Sequence, residues 1–251
     1  MERSITLTPV EDDTRIPDAV ATLERHLDSY GLNVGYDALE VAVKHLLYVM
    51  QVNEYINLTR IVDFDSALLL HIFDSYLYLS LLPVETVRLL DMGTGAGFPG
   101  IPLAAYLGCE AVLLDSVGKK VSAVNAFCGA LGLEKVSGIH DRLESYASAH
   151  KGSFDFVTAR ALAPIGMLLE YARPLLKVGG SLVISKGNLE DDERIVADSV
   201  CKQLGFKLAD SKSLVLPDDM GHRELLRYEV TRPSSLKLPR HVGMAKKNPL
   251  A

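Results

Sequence analysis

From residue 87 onward the sequence predicts an α/β fold: a central, mostly parallel sheet with helices on both faces and an antiparallel hairpin at one edge, preceded by a helical N-terminal region. Three observations predict it. Short apolar runs alternate with stretches of helical periodicity. A glycine-rich loop joins the first run to the helix after it, and the first third of the chain is helical in pattern throughout.

The elements follow in order. Residues 18–30 and 36–55 space apolar side chains three and four apart, with Leu39, Val43, Leu46, Leu47 and Met50 along one face. A third helix is expected over 64–82, closed by Pro83. Strands are expected at 87–91, 111–115, 136–140, 154–159 and 181–186, separated by helices at 98–107, 119–131, 165–176 and 189–205. Runs 206–216 and 222–231 read as the hairpin. Four regions result: a variable lead (1–17), a helical region packed on the core (18–84), a sheet domain (85–232) and a basic tail (233–251).

Composition narrows the class. The 251 residues are 48% hydrophobic, ample for a core and against wholesale disorder. No apolar run reaches the roughly 18 residues of a membrane span; the nearest, 66–84, is broken by His71 and Asp74. Met1-Glu2-Arg3-Ser4 opens no secretory signal, so a soluble cytoplasmic protein is expected and the sequon at Asn57-Leu58-Thr59 carries no glycan. Cys109, Cys128 and Cys201 are far apart among apolar neighbours, which suits buried thiols rather than disulfides. The histidines lack metal-ligand spacing, and no metal is expected.

The net charge of −6 argues at first against a polyanion partner. It is unevenly spread. From Arg227 to the end, six basic residues face one acid, Glu229; that stretch carries +5 and the other 226 residues −11. Pro233, Pro239 and Pro249 oppose a helix there. The tail is then either disordered or an extended arm along a phosphate backbone, in which case its removal lowers affinity for a polyanion and spares any binding site in the body of the chain.

Asp91-Met92-Gly93-Thr94-Gly95-Ala96-Gly97-Phe98-Pro99-Gly100 follows a strand and opens a helix, where doubly wound sheets bind nucleotides. Two ligands compete. Gly95, Gly97 and Gly100 match a dinucleotide fingerprint, with Asp115 at the ribose position. Pro99, however, removes a backbone donor a pyrophosphate needs. In the register of Asp91, Gly93, Gly95 and Gly97, an acid ends the strand; it repels a pyrophosphate and attracts a sulfonium or ammonium. That pattern favours S-adenosylmethionine, with Asp91 toward its cationic end and Asp115 on its ribose.

The sequence then resembles the bacterial RsmG family, also called glucose-inhibited division protein B. The resemblance runs from about residue 55 to 227, and the closing Pro239-Arg240, Gly243 and Lys247 with Pro249-Leu250 look like the family's C-terminus. It is carried by Asn57-Leu58-Thr59, His71-Ile72 with Asp74-Ser75, the loop through Pro99-Gly100-Ile101-Pro102-Leu103, Leu114-Asp115-Ser116 with Gly118-Lys119-Lys120, Ala159-Arg160-Ala161, and Lys186-Gly187. It implies a class I, Rossmann-like methyltransferase that methylates guanine N7 in the 530 loop of 16S ribosomal RNA, on naked RNA or a small-subunit particle. A monomer is expected. The resemblance also implies cofactor contacts at Gly93, Phe98, Leu143, Glu144 and Arg160, with Asp141 on the adenine side. Glu144 has a plainer alternative as a carboxylate at a helix N-terminus.

Guanine N7 offers a free lone pair, so no general base is required and catalysis rests on orientation. Arg142, Arg160, Lys186 and Arg223 are the cations expected around the site, gripping phosphate, guanine O6 or the cofactor carboxylate. For each one alone, a surface salt bridge is the competing reading. His71 and Asp74 are expected to be structural, with Asp74 and Ser75 pinning their helix to the cofactor loop and Asn57 bracing the turn before it. Other readings are a methyltransferase acting on a small molecule or protein, and a non-catalytic RNA-binding factor.

Overall fold

The computed structural model describes residues 5–82 and 88–251. Helices α1 (Ile16–Ser29) and α2 (Tyr36–Asn53) pack on each other through Ala19, Val20, Leu23 and Leu27 against Leu39, Val43 and Leu46. Pro17 sits in the first turn of α1, where a missing N–H costs nothing.

The third predicted helix is not regular. It comprises α3 (Phe64–Ala67), a π-helical stretch (Leu68–Phe73), α4 (Asp74–Tyr76) and a 3₁₀ turn (Leu77–Ser80). Polar groups take its carbonyls: Arg160 donates to Leu70 O at 3.0 Å, and the Ser75 hydroxyl donates to His71 O. Arg160, from another element, thus takes a carbonyl of the segment, and such π segments gather at functional sites. The predicted stop at Pro83 and strand start at Val87 lie outside the described residues.

The sheet holds β1 (Arg88–Met92), β2 (Glu110–Asp115), β3 (Val136–His140), β4 (Phe154–Arg160), β5 (Leu176–Lys186), β6 (Phe206–Val215) and β7 (His222–Val230), in the order 3-2-1-4-5-7-6. The first five are parallel, while β7 runs antiparallel between β5 and β6. One strand of the hairpin is therefore interior and the other is the edge. Helices α5 (Gly100–Leu107), α6 (Gly118–Ala130), α7 (Leu143–Ala149), α8 (Ile165–Ala172) and α9 (Asp191–Leu204) make the crossovers. The sequence reading omitted α7, which is too short to show a period. It also started β5 five residues late, at Ser181 instead of Leu176, where Gly179 (φ +83°) disguises a strand that is irregular against β4.

Alternation along the strands splits the core. Ala111 and Leu113 of β2 face the layer of α1, α2, α5 and α6, whereas Val112 and Leu114 face α7, α8 and α9. The N-terminal helices thus cover one face of the sheet. The three cysteines are buried, and among the described residues no helix is long and apolar enough to cross a membrane.

The basic tail is neither disordered nor a free arm. Ser235 bonds Gln203 O through both its amide (2.9 Å) and its hydroxyl (2.7 Å). Leu236, Leu238 and Leu250 pack on the second core layer, and a short helix, α10 (Met244–Lys247), forms between Pro239 and Pro249. Packing and ion pairing, neither visible in local composition, hold it down.

Candidate active site

The order of strands reverses at β1 and β4, and the ends of those strands open a crevice, the place where sheets of this topology take ligands. The glycine loop lines it. Gly93 and Gly95 adopt φ of +68° and +61°, which only glycine does cheaply, and a Cβ on Gly93 would lie 2.6 Å from Leu162 Cδ1. Asp115, ending β2, accepts from Gly95 N–H at 3.0 Å and from Val117 N–H at 2.9 Å. Its carboxylate holds the loop as well as facing the crevice.

Asp91 departs from expectation. Its oxygens accept from Thr158 Oγ1 at 3.0 Å and Gly100 N–H at 3.1 Å, and it lines neither cavity described below. Burial raises its pKa to about 6. It ties β1 to β4 and to the start of α5, so a direct contact with a cationic cofactor is not its place. Gly97 is also away from the crevice, its space closed by Ile101 and His45.

Two cavities meet in the crevice. The first, of about 560 Å³, is bordered by Asp115, Ser116, Asp141, Arg142, Leu143, Glu144, Met167 and Tyr171. The second, of about 590 Å³, is bordered by Thr59, His71, Asp74, Gly95, Phe98, Lys186 and Arg223. Gly93, Arg160 and Ala161 border both. The four expected cations are therefore divided: Arg160, Lys186 and Arg223 stand at the second cavity, while Arg142 stands only at the first.

A buried polar chain runs along the second cavity. Asp74, 1% exposed, accepts from Arg160 Nη1 at 3.2 Å and from Arg223 Nε at 2.9 Å. Arg160 Nη2 donates to His71 Nδ1 at 3.3 Å, leaving His71 Nε2–H to donate to Thr59 Oγ1 at 2.9 Å. Burial, with the charge of Arg160 adding, lowers the pKa of His71 to about 3, so it is a neutral acceptor. The buried Tyr78 donates to Ala159 O at 2.8 Å, fixing the residue before Arg160. Asp74 thus pins the helical segment to β4 and β7, and His71, rather than Asp74, meets the loop: its ring stacks on Phe98 with centroids 4.7 Å apart. Lys186 is paired with Glu193 at 2.8 Å. None of these three cations is an unengaged charge.

Several contributors escaped sequence reading. His45 of α2 also packs against Phe98, with centroids 4.3 Å apart, and donates to Ala96 O at 2.8 Å. Burial lowers its pKa to about 3, and its Nδ1 has no partner among the described residues. It sits on the apolar stripe of α2, which gave no polar signal. The turn before α3 is braced by Asn53, whose Oδ1 accepts from Leu58 N–H (2.8 Å) and Thr59 N–H (2.9 Å); Asn57 does not do this. The carboxylate of Glu144 accepts from Gly243 N–H at 2.8 Å, a contact between segments 99 residues apart.

Known proteins share this fold. Solved structures of a geranyl diphosphate methyltransferase in complex with GPP and sinefungin (TM-score 0.51, 13% identity, 63% of this chain and 78% of that one) and of a SAM-dependent methyltransferase from Aquifex aeolicus (0.50, 18%, 66% and 93%) have the same class I fold. Proteins named ribosomal RNA small subunit methyltransferase G are closer in sequence. That of Desulfitobacterium hafniense is 39% identical over 79% of this chain and 83% of its own length. That of Carboxydothermus hydrogenoformans is 32% identical over 92% and 99%. The family model described as rRNA small subunit methyltransferase G matches residues 38–222, and the chain belongs to that family.

Proposed function

We propose that this chain methylates N7 of a guanine in the 530 loop of 16S ribosomal RNA, working as a cytoplasmic monomer on free RNA or a small-subunit particle. One observation carries the assignment of roles: two cavities of ligand size share the walls Gly93, Arg160 and Ala161. A methyl donor in the first and a base in the second would meet at those residues.

The first cavity suits S-adenosylmethionine. A Cβ at its Gly93 would press on Leu162 in a backbone conformation that favours glycine, its acid at the end of β2 stands at the ribose position of such sheets, and Leu143 would offer backbone polar groups to the adenine beside the apolar Met167 and Leu162. When bound, the cofactor supplies an electrophilic methyl group. The chain's own part is to orient and to exclude water. Neutral His71 holds no proton that N7 must gain or lose. Each guanidinium carries five N–H donors, and Arg160 and Arg223 keep some beyond those committed to Asp74, His71 and carbonyl oxygens. These are offered to guanine O6 or to phosphate. Arg142 belongs with the cofactor, not with the base.

The test is transfer of labelled methyl from S-adenosylmethionine to small-subunit RNA or particles from a strain deleted for this gene, with the modified base mapped by cleavage at 7-methylguanine. Label in the 530 loop is expected. Transfer that persists after RNase treatment of the substrate points to a small-molecule or protein acceptor, and cofactor binding with no transfer points to a non-catalytic RNA-binding factor.

A further inference from the structure

The C-terminal segment reaches the first cavity, and its anchors are more than surface contacts. Arg240 Nε and Nη2 grip both oxygens of Glu170 at 2.7 and 2.5 Å, and Glu170, on α8, is only 4% exposed. Arg240 Nη2 also donates to Asn248 O at 3.0 Å, which closes residues 240–248 into a loop. Gly243, at φ +81°, turns the chain into α10 and donates its N–H to Glu144. Ala245 is buried at 1% exposure. These anchors place Gly243 and Lys246 on the wall of the first cavity, with Gly243 bonded to Glu144, the neighbour of Leu143.

We infer that residues 240–248 form a strap that completes the adenosine end of the cofactor cavity, so that docking of the strap and binding of the cofactor stabilise each other. The inference rests on the assignment of the first cavity to S-adenosylmethionine. Electrostatics favour the arrangement. Asp115, Asp141 and Glu144 gather three carboxylates at that cavity, and Lys246 stands there with no carboxylate in ion-pair range among the described residues. Its ammonium is available to acceptor atoms of the adenosine. Coupling of this kind is reciprocal: whatever the strap adds to cofactor affinity, the cofactor returns as strap docking. The consequence reverses the expectation drawn from composition, in which loss of the tail spares cofactor affinity.

The experiment is amide hydrogen exchange on the full-length protein with and without saturating S-adenosylhomocysteine, paired with calorimetric affinities for Lys246→Ala and for a chain ending at Lys237. The expected results are slower exchange of residues 243–248 in the presence of the ligand, an affinity lowered at least threefold by Lys246→Ala, and one lowered at least tenfold by truncation. Should the truncated chain fail to fold, the exchange data and Lys246→Ala still decide. Unchanged exchange over 243–248, together with Lys246→Ala affinity within twofold of the parent, overturns the strap. A parent protein that binds no S-adenosylhomocysteine overturns the cofactor-site assignment instead, a separate and recognisable failure.

Discussion

Replacing Asp74 by Asn removes the charge between Arg160 and Arg223 while keeping the side chain's shape. The carboxylate is 2% exposed, and the arginines are 16% and 17% exposed, so water screens the bridge poorly. An Asn oxygen still accepts from one guanidinium, but its NH₂ then faces the other, donor against donor. One charge-assisted hydrogen bond, worth about 1.5–3 kcal/mol, is lost. Two cations are left without their counter-ion, and breaking a buried pair costs about 3–5 kcal/mol. At the lower figure, and with about 2–4 °C per kcal/mol for a chain of this size, the melting midpoint falls by about 6–12 °C. Function responds unequally. Asp74 borders only the second cavity, so methyl transfer to RNA falls by about tenfold or more, whereas affinity for S-adenosylhomocysteine changes by less than about threefold. Thermal melts and calorimetry on the same preparation measure both. A midpoint within about 2 °C of the parent, or a cofactor affinity that falls in step with transfer, would refute the reasoning.

Other outcomes follow from the same contacts. Gly100→Ala puts a methyl 2.2 Å from Leu113 Cδ2 and 2.9 Å from Asp91 Oδ2, so it destabilises by about 2–3 kcal/mol, while Gly95→Ala, with open space but φ of +61°, costs about 1 kcal/mol; equal denaturant midpoints would contradict this ranking. Asp115→Ala frees the N–H groups of Gly95 and Val117, so it lowers the melting midpoint by several degrees as well as weakening cofactor binding, and loss of affinity with an unchanged melt would show that the brace is idle. Acid destabilises the fold: His45 and His71 have pKa values of about 3 when folded against 6.5 when unfolded, so their contribution is complete above 6.5 and is lost as pH falls below it. Asp91, about 6 when folded against 3.8, opposes them by gaining its proton first in the folded state; two histidines outweigh one carboxyl between pH 7 and 5.5, and a midpoint that does not fall over that interval excludes two buried neutral histidines.

The helical front, the parallel sheet and the glycine loop were legible because each is a local pattern: a period of three to four residues, short apolar runs, glycines where the backbone needs positive φ. The end of β2 was legible for the same reason, since a residue that closes a strand before a loop is placed near the crevice, and Asp115 was found that way. Arg160 came from the family resemblance, through its Ala159-Arg160-Ala161 motif. Asp91 occupies a similar position yet turns inward, because Thr158, its partner across β1 and β4 in the register of the sheet, offers a hydroxyl. No spacing along the chain encodes that encounter.

By itself, the sequence determined the fold class and the place of the glycine loop between a strand and a helix, both properties of residues close together in the chain, and it named the cations expected nearby. The tertiary structure decided what those cations do. Asp74 bonds Arg160 and Arg223, residues 86 and 149 positions away, and turns two candidate phosphate clamps into parts of one buried ionic bridge. It also decided the fate of the tail, whose +5 stretch reads as a free polyelectrolyte until Arg240 meets a buried Glu170 that only folding brings within reach. The physical reason is common to both: a charge is assigned by what desolvates and pairs it, and burial and pairing belong to the assembled fold.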